Sequence, residues 1–370
     1  SRRYWMVTAE FIHALRQIEK EKEIPLDKLL PTIEDALVSA YKKDYGGTGA
    51  VRVVIDQTRP SVMVFAERLV VEHVEEPANE ISLEQARKQN PQAQVGDVIE
   101  VEVTPDNFGR IAAQTAKQVV LQRIREAERD AVFDEYQNRI GEVMTGIVQW
   151  REGRNVFVNL GKVEALLPPK EQVSGEPYRF GDRIRVLILD VRKAAKAPMV
   201  IVSRTHPNLL RRLFEMEVPE ISDGIVEIKS VAREAGARSK IAVASNDEKV
   251  DPVGACVGPR GSRVQSVVQE LYNEKIDVVR WSDDIREYVR AALSPAKPSS
   301  VQITDPERKS ILVIVPSSQL SLAIGREGQN VRLAARLVGW KIDIRDEARL
   351  AAEQAGAQQV APETGGPEDE

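Results

Sequence analysis

The sequence predicts a multidomain α+β protein, and three observations support this fold class. The chain has 370 residues, which favours two or more domains. Five short strand-like segments, separated by turn residues, fall within residues 143–204 and indicate a small β-barrel. The C-terminal half then repeats one helix–turn–helix pattern around two pairs of glycines. Internal repetition of this kind is a stronger signal than a single motif.

The composition is that of a soluble, intracellular protein. Charged residues make up 29% of the chain and hydrophobic residues 42%. The apolar runs are too short to cross a bilayer, and no secretory segment is apparent near the start. The single cysteine, Cys256, excludes an internal disulfide framework and suits a reducing compartment. We therefore expect a cytoplasmic protein without membrane association, in which Cys256 is a small core residue and not a nucleophile.

The net charge of −5 argues at first against a nucleic-acid partner. The charge is unevenly distributed, however, because both ends of the chain are acidic whereas the central part has a mild excess of lysine and arginine. Local positive surface attracts phosphate, whatever the total charge. The charge pattern is therefore compatible with RNA binding in the central part.

Residues 1–138 are expected to form an N-terminal α+β domain of ordinary size. Amphipathic periodicity predicts its helices, and β-branched runs bounded by turn residues predict its strands. The predicted helices are residues 8–22, 25–43, 83–89 and 109–136, and the predicted strands are residues 50–56, 61–71 and 95–103.

Residues 139–204 contain the five strand-like segments and are expected to form a barrel of the OB class. Such barrels bind single strands through exposed aromatic side chains with basic residues around them. Phe157 and Arg154, which lie close together in the chain, are the candidate RNA-binding residues here. A place for Phe157 in the barrel core remains an equal alternative.

Residues 205–293 and 294–346 are expected to form two successive α-β-β-α-α-β units. The first contains the turn Gly258-Pro259-Arg260-Gly261, and the second contains Gly325-Arg326-Glu327-Gly328, with the first glycines 67 residues apart. After each turn, apolar residues recur at the spacing of a buried helix face, and a strand-like run follows.

A Gly-x-x-Gly turn in this setting is suited to an RNA backbone. Glycine permits a tight turn and close approach, and the helix that follows points free N–H groups outward. The adjacent apolar groove can hold unstacked bases, which is the recognition mode of a type II KH domain. The candidate RNA-binding residues are Gly258, Pro259, Arg260, Gly261, Ser262, Arg263, Gly325, Arg326, Glu327, Gly328, Gln329 and Arg332.

The motifs of common enzymes are absent from the sequence. It contains neither a phosphate-binding P-loop nor a dinucleotide-binding glycine motif after a strand. No group of cysteines and histidines has the spacing of a zinc site. We therefore expect no catalytic residues, no metal and no cofactor.

The order of these units resembles the NusA family of bacterial transcription factors. The resemblance covers about residues 8–346 and is carried by PDNFGRIAAQTAKQVVLQRIREAERD, VDPVGACVGPRGSRVQ and SLAIGREGQNVRLAARL. It implies that the barrel is of the S1 type. It also implies a monomer whose N-terminal domain binds RNA polymerase near the β flap and the RNA exit channel, while the S1 and KH domains hold nascent single-stranded RNA.

The function that this resemblance implies is to prolong pausing, to promote intrinsic termination and to take part in antitermination with other Nus-type factors. Some members of the family carry acidic helical repeats at the C-terminus. Here a short acidic tail, residues 347–370, stands in that place. Beyond a helical start, we expect this tail to be disordered.

Three other functions remain open from the residues alone. One is an RNA-decay or translation protein with S1 and KH domains, although the phosphorolytic exoribonuclease has KH before S1 and two catalytic domains that this sequence lacks. Another is an enzyme that uses RNA-binding domains to guide its substrate, which turnover assays on RNA would detect. The third is an assembly protein whose loops bind protein, and salt-sensitive RNA binding would count against it.

Overall fold

The computed structural model describes residues 26–46, 49–56, 61–106 and 108–358. The predicted helix at residues 8–22 lies outside these ranges. The chain divides into two compact units between Ala131 and Val132. Within the described ranges, no helix has both the length and the apolar character that a membrane span requires.

The first unit joins helices to a four-stranded sheet. Strand β2 pairs antiparallel with β1 and β4 and parallel with β3. Leu29, Ile33 and Leu37 line one face of α1 and pack in a buried core with Val64 of β2 and Phe108 of α3. The elements are α1 (Leu26–Tyr45), β1 (Val51–Asp56), β2 (Ser61–Val71), β3 (Glu80–Ser82), α2 (Leu83–Gln89), β4 (Val98–Glu102) and α3 (Phe108–Gln137), the last of which continues into the second unit.

The second unit begins with a closed five-stranded barrel, as the sequence predicts. Its strands are ordered β5-β6-β7-β9-β8 around the barrel. Along β6, the buried Val156 and Val158 alternate with the half-buried Phe157, so that valine fills the interior. The strands are β5 (Val143–Glu152), β6 (Asn155–Asn159), β7 (Glu164–Leu167), β8 (Arg183–Arg192) and β9 (Met199–Ser203), and a 3-10 turn covers Pro169–Glu171.

Two repeats of the predicted α-β-β-α-α-β order follow the barrel. Each has a three-stranded sheet in which an antiparallel pair is extended by a parallel third strand. The first repeat contains α4 (Pro207–Glu217), α5 (Pro219–Ser222), β10 (Val226–Glu234), β11 (Arg238–Ser245), α6 (Pro252–Val257), α7 (Ser262–Glu270) and β12 (Lys275–Arg280). The second contains α8 (Ile285–Ala292), β13 (Ser300–Asp305), β14 (Ser310–Val315), α9 (Ser317–Ile324), α10 (Gln329–Val338) and β15 (Lys341–Asp346).

Helix α8 packs with the second repeat. Its residues Tyr288, Val289 and Ala292 share a buried cluster with Ile311 of β14 and Leu333 of α10. The domain boundary predicted after residue 293 stays a prediction, and this packing favours a boundary in front of α8. Pro295 lies in the turn after α8, and Pro298 lies in the segment before β13, so both belong to the second repeat.

The barrel and the two repeats share buried side chains. Leu187 of the barrel lies in one core cluster with Phe214 of the first repeat, and Ala242 of the first repeat lies in another with Leu337 of the second. The sequence predicts separate modules joined by short linkers. The structure instead has modules packed directly on one another, because apolar positions at their edges face the neighbouring module.

A buried arginine joins the barrel to the first repeat. Arg204 is fully buried and donates to both carboxylate oxygens of Glu176, at 2.9 and 2.6 Å. It also donates to the Arg185 carbonyl at 2.8 Å and to the carboxylate and carbonyl of Glu270 in α7. A buried charge needs this degree of pairing, because removal of one partner leaves the other uncompensated.

A helix, α11 (Glu347–Gln358), follows β15 at the C-terminal end of the described residues. The helical start that the sequence predicts for the acidic tail therefore extends to Gln358. The rest of that tail, residues 359–370, lies outside the described residues.

Candidate nucleic-acid interface

The two Gly-x-x-Gly loops have nearly the same backbone conformation. Gly258 has φ 72° and ψ 174°, and Gly325 has φ 76° and ψ 172°. Arg260 and Glu327, at the third position of each loop, have φ 53° in both cases with ψ 27° and 28°. The repeat seen in the sequence is thus a repeat of shape, and each loop position can be compared directly with its counterpart.

The first glycine of each loop is required by packing as well as by its dihedral angle. A Cβ on Gly258 would lie 2.6 Å from Cγ of Arg263, and one on Gly325 would lie 2.8 Å from the backbone nitrogen of Asn330. The second glycines are in the left-handed region but have room around them. A Cβ on Gly261 would lie 4.0 Å from Cγ1 of Val264 and near no other atom, and nothing lies within 4 Å of a Cβ on Gly328.

Helices α7 and α10 begin directly after the second glycines. Gly261 and Gly328 are their N-cap residues, and no side chain of the described residues caps either helix. The N–H groups of Ser262 and Gln329 already donate to the carbonyls of Pro259 and Arg326 within the loops. The first turn of each helix still carries partial positive charge. Each loop therefore presents a helix N-terminus to which an anion such as a phosphodiester can bind.

The arginines of the first loop differ in what they contact. The side chain of Arg260 is exposed, and no carboxylate of the described residues lies within ion-pair distance of it. Arg263 is partly buried, and its Nη1 donates to Glu220 Oε2 at 2.8 Å and to the Ala255 carbonyl at 2.7 Å. Arg260 is therefore available to a ligand, whereas Arg263 already holds two parts of its own repeat together.

Gln329 and Arg332, which follow the second loop, bind the first repeat. Gln329 Nε2 donates to Glu234 Oε2 at 2.9 Å, and Arg332 Nε donates to Glu234 Oε1 at 2.7 Å. The hydrogen bond from Arg332 holds the pKa of the Glu234 carboxyl below its usual value, because it favours the ionised form. In this structure both side chains serve contact between the repeats, and the sequence alone could not reveal this because Glu234 is far away in the chain.

Beside the second loop lies a groove between helix and strand, as the sequence suggested, but its lining is mixed and not mainly apolar. Its apolar lining comes from α9, β15 and α11, and charged side chains of β15 and α11 complete it. The apolar residues are Leu320, Ile324, Ile344 and Leu350, and the charged ones are Asp343, Arg345, Asp346 and Arg349. Asp343 and Arg345 stand on the same strand, with Arg345 Nε 3.2 Å from Asp343 Oδ2. The groove thus combines apolar walls with hydrogen-bonding groups that could contact base edges.

On the barrel, Phe157 forms a stacked pair with Trp150. The two ring centroids lie 3.9 Å apart with an interplanar angle of 4°. Trp150 is 43% exposed, and its Nε1 donates to Glu164 Oε2 at 2.7 Å. Phe157 is half-buried, so it belongs neither to the barrel core nor to a fully open surface, and the indole provides the open aromatic face. Arg154 is exposed nearby on the β5–β6 turn.

Sequence reasoning missed Trp150 because of a β-bulge. Simple alternation would place Trp150 on the same side of β5 as the buried Val148. The pairing of β5 with β6 shifts between these two residues, and the extra residue turns Trp150 outward. Its position next to the arginine-containing turn was the one available signal.

Cys256 is fully buried in α6. Burial raises the pKa of its thiol to about 12, so the thiol stays protonated at neutral pH. This agrees with the expected core role. Among the described residues, no group of three or more histidine, cysteine or acidic side chains is arranged to hold a metal ion.

The S1-type barrel and the two KH-type repeats, with their paired glycine loops, define a modular RNA-binding protein. Models of protein families match the chain along its length. They are the NusA N-terminal domain at residues 10–130, the S1 RNA binding domain at 137–202, the NusA-like first KH domain at 204–281 and the NusA-like second KH domain at 285–352. The chain belongs to the NusA family, as three relatives named transcription termination/antitermination protein NusA show.

The relative from Halalkalibacterium halodurans is 56% identical over 342 residues, covering 92% of this chain and 89% of that protein. The relative from Bacillus subtilis is 55% identical over 341 residues and covers 92% of each chain. The relative from Thermus thermophilus is 43% identical over 364 residues, covering 93% of this chain and 94% of that protein. Membership of a family of transcription factors confirms the resemblance and the prediction that the chain is not an enzyme.

Proposed function

We propose that this chain is a transcription elongation factor that binds RNA polymerase and nascent RNA, promotes pausing and intrinsic termination, and takes part in antitermination. Its relatives are named transcription termination/antitermination proteins, which supports the assignment. In this proposal the N-terminal unit binds the polymerase near the β flap and the RNA exit region. The S1 and KH domains bind the emerging single strand, other Nus-type factors join the complex, and the protein acts as a cytoplasmic monomer.

The observation that carries the proposal is the matching geometry of the two loops. Each places a left-handed glycine at the start of a helix whose first turn lacks a side-chain cap among the described residues. A phosphodiester is the RNA group that suits such a place, since it supplies acceptors and negative charge. Two such places in one chain, with an aromatic surface on the barrel, favour a single strand that contacts several modules.

The packing of the modules strengthens RNA binding by avidity. After one module has bound the strand, the next binding event is intramolecular and occurs at a high effective concentration. Because the barrel and the repeats share core clusters, little freedom is lost when the later contacts form. Individually weak sites can thus retain a transcript beside the polymerase.

The phosphate contacts are tested by substitution of the second glycine in each loop. Gly261→Asp and Gly328→Asp put a negative charge where the backbone should bind, while Gly261→Asn and Gly328→Asn add a neutral side chain of similar size. Both residue types tolerate the left-handed region, and the Cβ has space at both positions. Titration of an unstructured single-stranded RNA should give about tenfold weaker binding for the Asp pair than for the Asn pair, which corresponds to about 1.4 kcal/mol.

The same proteins test the link to transcription. The full chain should lengthen the lifetime of a hairpin-stabilised pause, and the double Asp variant should do so less than the double Asn variant. Equal RNA affinity of the Asp and Asn proteins would remove the loops from the proposal. A full chain that neither binds the polymerase nor changes the pause would overturn the proposed function.

A further inference from the structure

The two loops carry opposite charges at the same position. Arg260 and Glu327 each occupy the third position of their loop, with φ and ψ equal to within about a degree. The Cα–Cβ bond of each residue therefore leaves the loop in the same direction relative to the helix that follows. A phosphodiester bound at one helix N-terminus would have a guanidinium beside it, and at the other a carboxylate.

The surroundings of the second loop increase this difference. Arg326 is 93% exposed, and its Nε lies 3.8 Å from Glu327 Oε1. The two arginines of α10 that follow, Arg332 and Arg336, both approach Glu234, at 2.7 and 3.7 Å. Each of these three cations thus has a carboxylate nearby, whereas Arg260 of the first loop has none among the described residues.

We propose that the first loop is the main phosphate clamp and that Glu327 keeps the second loop a weak one. This inference rests on the proposed function, since it assigns different roles to two parts of the same RNA-binding surface. Phosphate affinity depends on the number of phosphates that cations neutralise. Glu327 repels phosphate, and its carboxylate, 3.8 Å from Arg326 in an exposed and weak pair, offsets part of that cation's charge. The strand is therefore held mainly at the first loop and exchanges more readily at the second, where the helix N-terminus and the adjacent groove provide the remaining contacts.

Substitutions that remove one charge each test the inference. Arg260→Gln and Glu327→Gln alter exposed side chains whose backbone conformation is set by the flanking glycines. The control Glu72→Gln makes the same change in net charge at an exposed position of the first unit. Each full-length protein is titrated with an unstructured 20-nucleotide single-stranded RNA at several salt concentrations.

Arg260→Gln should weaken binding and flatten the plot of log affinity against log salt by about 0.7, the value for one phosphate contact to a single strand. Glu327→Gln should strengthen binding and steepen the plot by a similar amount, because the repulsion of phosphate is removed and Arg326 no longer has a carboxylate beside it. At low salt, RNA affinity should decrease roughly two- to threefold for Arg260→Gln and increase by a similar factor for Glu327→Gln. Glu72→Gln should behave like the wild type.

The outcomes separate the two proposals. If the wild type binds RNA in a salt-dependent way but the two substitutions have no effect or act in the same direction, the unequal clamps are disproved and the proposed function stands. If the wild type fails to bind single-stranded RNA, the proposed function itself fails. If Glu72→Gln changed RNA affinity as much as Glu327→Gln, the effect would come from net charge alone. That result would also overturn the inference.

Discussion

Arg263 and Asn330 occupy equivalent positions, each five residues after the first glycine of its loop, and each donates hydrogen bonds to the end of the preceding helix. Arg263 Nη1 reaches the Ala255 carbonyl at 2.7 Å, and Asn330 Nδ2 reaches the Ala323 carbonyl at 3.1 Å. The last carbonyls of a helix lack partners within the helix. The two repeats thus use a different side chain for the same task, which is to fix the helix end from which the loop departs.

Asn330→Asp should destabilise the second repeat. Asn330 is buried, and its Nδ2 donates to the carbonyls of Leu293 at 3.0 Å and of Ala323 at 3.1 Å. A carboxylate would place an acceptor against these carbonyl acceptors in a buried site, so we expect a loss of about 2–4 kcal/mol in the free energy of unfolding. Denaturant unfolding followed by circular dichroism measures the loss.

The control for this substitution is Asn208→Asp, which makes the same chemical change at an exposed position near the start of α4. It should shift stability by no more than about 0.5 kcal/mol. Equal unfolding curves for the two variants would show that the Asn330 hydrogen bonds do not hold the loop.

Trp150→Ala should weaken RNA binding more than Phe157→Leu. The indole covers Phe157 and has the larger open face, so a base would stack on Trp150 while Phe157 supports it from below. Loss of a base–aromatic stack costs about 1–3 kcal/mol, whereas leucine preserves an apolar support. Trp150→Phe should restore part of the affinity. A larger effect of Phe157→Leu than of Trp150→Ala would contradict this arrangement.

Contact between the two repeats should weaken at acidic pH through Glu234. Its pKa is lowered in the folded protein, first by the hydrogen bond from Arg332. A free glutamate has a pKa of about 4.3, so the stabilisation is complete above that value and is lost as the pH falls through the lower folded pKa. The denaturant midpoint of unfolding should therefore decrease as the pH is lowered from about 5 to about 3.

Glu234→Gln tests the assignment, since glutamine keeps the shape but does not titrate. This variant should be less stable than the wild type at neutral pH and should lose less stability on acidification. If both proteins lose the same amount between these pH values, another group is responsible for the acid sensitivity.

Local sequence patterns were sufficient for most of the second unit. The five barrel strands and both helix–turn–helix repeats were predicted because their apolar periods and turn glycines are continuous in the chain. Strand β3 was not predicted, since three residues are too few to show a period. The sequence repeat also places Arg263 and Asn330 at corresponding positions, but it does not show that both side chains bind the end of the preceding helix.

What sequence could not provide were contacts between distant residues. Arg263 and Arg332 were predicted to face phosphate because each lies one turn beyond a loop. Their partners, Glu220 and Glu234, belong to other elements, and nothing in the local pattern indicates such pairing. Whether a charged side chain is free to bind phosphate thus depends on tertiary contacts. The shape of the loop, in contrast, follows from the local sequence.

The burial of Arg204 between the barrel and the first KH domain has a consequence for the transcript. Packed side chains, and not flexible tethers, set the separation of the successive RNA-binding surfaces. If the proposed surfaces all bind one strand, its path would have a length that the protein sets, and a hairpin that shortens the unpaired stretch would remove one of those contacts. RNA binding by the protein would then depend on the length of unpaired transcript that has emerged from RNA polymerase.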